Sequence, residues 1–105
     1  MSSTHASQRR VVITGMGILS PLGVGVDDAG PNLMAGKSGI GKMDLLDYSA
    51  APQNVGGEVR GFNDKYFRGL VPKKQRKVVG MMCREIQLGA ASAILALEHS
   101  QVDLD

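Results

Sequence analysis

A chain of 105 residues with 12 lysines and arginines against 10 aspartates and glutamates is one modest globular unit, neither a charged tail nor a repeat array. It is 43% hydrophobic and 21% charged, and no apolar run approaches the length a bilayer helix needs, which excludes a membrane-spanning helix. A lone cysteine, Cys83, excludes an internal disulfide and a four-thiolate zinc site, and the polar stretch at residues 1–8 lacks the apolar core of a secretory signal, so a reducing, cytoplasmic setting is expected.

Residues 1–8 are expected to form a disordered polar leader and residues 9–105 the structured part. Val11, Val12 and Ile13 are consecutive β-branched residues followed by Gly15-Met16-Gly17, which predicts a strand over 10–14 that is buried on both faces and stops sharply. Pro21, Gly23 and Gly25 keep 18–26 a loop. Asp27 or Asp28 then caps a short helix reaching about Ala35, with Gly36 as its left-handed stop. Residues 37–53 show no sustained period, and 55–60 alternates enough for one short edge strand. Phe62, Tyr66, Phe67 and Leu70 pack a local turn or short helix, and after Pro72 the spacing of Val78, Met82, Ile86, Ala90, Ile94 and Leu97 predicts one long helix over 73–99. A doubly buried strand needs two neighbours and only one other strand is in view. The sheet is therefore incomplete in these residues, completed by another chain or by more of the same one.

Several motifs offer chemistry and fall short of it. Gly15-Met16-Gly17-Ile18-Leu19-Ser20 has Ser20 where a dinucleotide fingerprint has its third glycine, and Pro21 interrupts the helix that should follow. Gly36-Lys37-Ser38 lacks the leading glycine of a phosphate loop and follows a helix rather than a strand. Cys83 reads as a small buried residue in mid-helix, with His99 about 24 Å further along by helical rise and unable to act as its base. His99 reads as a partner for a helix C-terminus, and neither a metal constellation nor a cofactor site is expected.

Charge is distributed unevenly. Lys65, Arg68, Lys73, Lys74, Arg76, Lys77 and Arg84 fall in a stretch without one acid, whereas residues 1–64 carry a net −1 and 85–105 a net −4. Lys73, Lys74, Arg76 and Lys77 would sit in the first turn of the long helix, where the macrodipole disfavours cations by roughly 0.3–1 kcal/mol each. Either this is a solvated face whose penalty is tolerated, or an anionic partner docks there. Without interleaved aromatics, nucleic acid is the weaker choice of partner.

Residues Arg9-Arg10-Val11-Val12-Ile13-Thr14-Gly15-Met16-Gly17-Ile18-Leu19-Ser20-Pro21-Leu22-Gly23, then Leu33-Met34-Ala35-Gly36-Lys37-Ser38-Gly39-Ile40, resemble the opening of a β-ketoacyl-acyl carrier protein synthase. Gly56-Gly57-Glu58-Val59-Arg60-Gly61-Phe62 and the helix around Ile86-Gln87-Leu88-Gly89-Ala90-Ala91 continue the match to Asp105. The resemblance implies a thiolase-like layered α/β fold, here as an N-terminal part, and a homodimer. It implies an acyltransferase of fatty-acid or polyketide synthesis, in which a cysteine carries the acyl chain, malonyl-carrier protein decarboxylates and attacks the thioester, and two histidines assist. Those catalytic residues lie outside the matched segment, so none is assigned here, and Cys83 is not the nucleophile.

By the same resemblance, Lys73, Lys74, Arg76 and Lys77, with Gln75 among them, correspond to a cluster that docks the acidic acyl carrier protein. Two departures stand out: Val78-Val79-Gly80-Met81 adds about one helical turn, and Gly30 replaces a bulky aromatic. The other readings are a noncatalytic synthase-like subunit that binds carrier protein and, more remotely, a binder of nucleic acid or another anion. No membrane partner is expected.

Overall fold

Extended backbone opens the part of the chain described by a computed structural model, which covers residues 8–104. The expected leader therefore lies almost wholly outside the described residues. Residues 10–14 form no strand: Val11 is 93% and Ile13 84% exposed, and no backbone among the described residues pairs with theirs. A strand is a paired structure, and an apolar run with no sheet on either side stays extended and bare.

The first ladder is instead the hairpin β1 (Leu19–Ser20) with β2 (Gly23–Val24), inside the stretch expected to be a loop. Helix α1 (Val26–Met34) follows, entered through Gly25 rather than an aspartate cap. Asp28 has a different task, accepting from the Val24 N–H at 3.2 Å and so tying the helix to the hairpin. Gly36 ends α1 as expected, at φ 69°, with the Lys37 N–H donating to the Asn32 carbonyl and the Gly36 N–H to that of Leu33. This is the left-handed stop that satisfies the last carbonyls of a helix.

A second antiparallel pair, β3 (Ile40–Lys42) with β4 (Val55–Gly57), supplies the expected strand and a partner the sequence did not announce. Helix α2 (Asp64–Leu70) is capped by Asn63, whose Oδ1 accepts from the Tyr66 N–H at 2.8 Å.

The long helix expected over 73–99 is broken in two. A 3₁₀ turn at Lys73–Gln75 runs into the four-residue helix α3 (Arg76–Val79), and α4 (Arg84–Ser100) begins afresh after an extended Cys83. Glycine at position 80 and the Val78-Val79 pair weaken helix propagation there. The break is held by Gln87, a buried amide whose Nε2 lies 3.3 Å from the carbonyls of both Val79 and Met82 and from Asp64 Oδ1. Carbonyls freed by the interruption thus find a donor inside the protein. Burial shifts with the break: Val79, Gln87 and Ala91 are buried, while Val78, Ile86 and Leu97, expected on the inner stripe, are exposed.

Phe62, Phe67, Val71, Val79 and Ala91 form the buried cluster, with Phe62 edge-on to Tyr66 at 5.8 Å and tilted against Phe67 at 6.1 Å. It is a small core, and the chain is spread out around it. The radius of gyration is 18.6 Å, against about 13 Å for a compact domain of this length. At the other end, Gly15 and Gly17 lie flat on α4. A Cβ on Gly17 would come within 2.7 Å of the Ala96 nitrogen and closer still to the Ser92 carbonyl oxygen, so only glycine allows this approach.

Candidate functional site

The seven cations between Lys65 and Arg84 divide into two groups. Three arginines are committed to the fold. Arg68 donates to Asp64 at 2.6 Å and to the Arg76 carbonyl at 3.1 Å. Arg76 donates through Nε to the Val71 carbonyl at 3.1 Å, and Arg84 holds the Phe62 and Val59 carbonyls while lying 5.7 Å over the Phe62 ring. The Arg68 hydrogen bond is also the main reason the Asp64 carboxyl titrates below its ordinary range.

Lys65, Lys73, Lys74 and Lys77 are exposed and take part in none of the ion pairs among the described residues, which join Arg60 to Asp44 and Glu58 and Arg68 to Asp64. Of the residues singled out from the sequence, Lys73, Lys74 and Lys77 thus share one open surface. Arg76 sits half-buried beside them, its Nε engaged and its terminal nitrogens without a hydrogen bond among the described residues. The break in the long helix changes the electrostatic reasoning. These cations lie within a 3₁₀ turn and a one-turn helix, so the macrodipole of α4, which starts at Arg84, does not oppose them. Their unpaired state in an acid-free stretch is what marks the surface.

Cys83 is exposed and precedes α4, rather than lying buried in mid-helix, because the helix restarts after it. His99, in the last turn of α4, accepts the Met16 N–H at Nδ1 across 3.0 Å and so fastens the opening segment to the helix. The two residues stand at opposite ends of α4. No cluster of three or more metal-ligating side chains occurs among the described residues.

One charged residue that the motif reading used only as part of a run proves structural. Glu58 is buried and accepts from the N–H groups of Asp44 at 3.1 Å and Leu45 at 3.0 Å, with Arg60 at 3.5 Å. Burial is the largest single influence and pushes its carboxyl up, but the two N–H groups, the Tyr48 phenol and Arg60 together outweigh it and hold the carboxyl below its ordinary range. A depressed carboxyl stabilises the fold above its unfolded value and loses that contribution as pH falls through the folded one. The urea midpoint of the chain is therefore expected to drop on acidification through the carboxylate range. In Glu58→Gln that acid-sensitive component is expected to be smaller and the 43–48 loop to exchange its amides faster.

The small core, the uncovered apolar run and the open basic surface belong to a recognisable class of protein. The fold is that of a ketosynthase: the structure matches "The ishigamide ketosynthase/chain length factor" with a TM-score of 0.73 and 31% identity, over 92% of this chain and 23% of that one. The model of the family described as "Beta-ketoacyl synthase, N-terminal domain" matches residues 8–105, and the chain belongs to that family. The 3-oxoacyl-[acyl-carrier-protein] synthase 2 of Vibrio cholerae is 36% identical over 94% of this chain, and the chloroplastic synthase I of Hordeum vulgare is 45% identical over 55% of it. The chain spans 22% of the length of the first of these relatives and 13% of the second. No helix among the described residues is long and apolar enough to cross a membrane.

Proposed function

We propose that these residues open a cytoplasmic, homodimeric β-ketoacyl-acyl carrier protein synthase, an acyltransferase that lengthens acyl chains by decarboxylative Claisen condensation. In that enzyme their own task is to receive the carrier protein. The catalytic cysteine and histidines come from the remainder of the enzyme, since Cys83 and His99 stand at opposite ends of α4 and His99 is engaged with the Met16 N–H. Exposure of Val11, Val12 and Ile13 supports a sheet that is completed by further strands.

The observation that carries the reading is the open group of Lys73, Lys74 and Lys77 in a stretch without acids, suited to an acidic protein surface. Lys74→Glu combined with Lys77→Glu, residues with no side-chain partner among the described residues, is expected to weaken binding of acyl carrier protein by at least about tenfold at low salt. The loss should shrink as salt screens the remaining charges. Affinity unchanged at low salt, measured by titrating labelled carrier protein, would place docking elsewhere. Arg76→Glu is a poorer test because it also removes the hydrogen bond to Val71.

A further inference from the structure

The basic surface does not end in charge. From Lys73 to Met81 the chain runs through the 3₁₀ turn, α3 and a final turn, closed by the Met81 N–H to the Val78 carbonyl at 3.0 Å and the Met82 N–H to that of Val79 at 3.1 Å. Lys74, Lys77, Val78 and Met81 are spaced three, one and three residues apart, which puts them on one helical face. Val79 is fully buried and Met82 packs against the core, and Val78 lines a small cleft beside both of them. Val78 is 49% and Met81 86% exposed. An exposed valine and methionine beside two unpaired lysines, with no acid in the stretch, form an amphipathic patch of apolar centre and cationic flank.

We propose that Val78 and Met81 are the apolar seat of the docking surface, and that its occupant is an acidic amphipathic helix. Its carboxylates meet Lys74 and Lys77, and one exposed apolar side chain lies on Met81. The inference rests on the carrier-protein reading above and adds to it a specificity element that charge alone does not provide. Charges steer the encounter and set its salt dependence, while a desolvated apolar contact slows dissociation and is little affected by salt. Methionine suits the seat because its unbranched thioether adapts to the shape it meets.

The test is a titration of the full chain with purified, labelled acyl carrier protein across a salt series, using wild type, Met81→Ser, Val78→Ser, Met81→Leu and Lys74→Glu. Met81→Ser and Val78→Ser should each weaken binding by about tenfold or less, by a similar factor at every salt concentration. Met81→Leu should restore it, and Lys74→Glu should cost most at low salt. Full affinity in Met81→Ser and Val78→Ser alongside a weakened Lys74→Glu would overturn the apolar seat and leave the docking site standing. Unchanged binding in all the variants would overturn both. Binding to phosphatidylglycerol vesicles or to single-stranded DNA, lost in Met81→Ser and without any affinity for carrier protein, would equally overturn the proposed occupant.

Discussion

Phe67→Ala is expected to abolish cooperative unfolding of the chain. Phe67 is 1% exposed and is the more deeply buried of two phenylalanines in a buried cluster of five residues, where it packs against Phe62 and joins α2 to the rest of the core. Truncating a buried phenylalanine costs about 3–5 kcal/mol, from lost transfer energy and from the cavity left behind. Domains of ordinary stability have only about 5–15 kcal/mol in hand, and a chain with an 18.6 Å radius of gyration buries less than most. Urea titration followed by far-ultraviolet circular dichroism should show a broad, early transition in place of the wild-type one. The effect reaches the basic surface too, because Val79, which anchors α3, packs into the same cluster. An unfolding free energy within about 1 kcal/mol of wild type would mean that the cluster is not the stabilising centre.

Gly17→Ala should act at the other end of the molecule and in a different way. The added methyl would run into the Ser92 carbonyl oxygen and approach the Ala96 nitrogen within 2.7 Å, both backbone atoms of α4 that cannot yield as a side-chain tip can. Overpacking of this kind costs about 1–3 kcal/mol. Here the inexpensive relief is for residues 15–17 to lift off the helix, giving up the hydrogen bond from the Met16 N–H to His99. Amide exchange at Met16 and neighbouring residues should rise sharply while α2 keeps its protection, as expected of local rather than global opening. Unaltered exchange at Met16 would show that the glycine is not needed for close approach.

These two sites show where the amino-acid order is informative. The glycine-rich opening and the run from Leu33 to Ile40 carried the family, and Gly36 carried the end of α1, since each depends on local backbone demands. The Lys73–Lys77 run is legible as charge alone, and the fold leaves its three lysines exposed. What needed distant partners was misread. Val11–Ile13 has the composition of a buried strand, but pairing is supplied by other backbones and none is present among the described residues. Ile40–Lys42 has little strand propensity and is a strand because β4 lies beside it. The spacing of Val78, Met82, Ile86 and Ala90 fits one helix. The carbonyl-accepting interruption depends on Gln87 folding back, a contact that periodicity cannot register. That break moved Cys83 from an interior to an exposed position and left Val78 and Met81 exposed, which created the patch on which the docking inference rests.

The most direct test of membership in a working condensing enzyme is the intact mass of the product in its own cell, captured with an antibody against α4 and assayed for condensation with malonyl-carrier protein. The expected result is a product several times heavier than 11.1 kDa that extends an acyl chain by two carbons. A stable, folded product of 11.1 kDa that binds no carrier protein would contradict it.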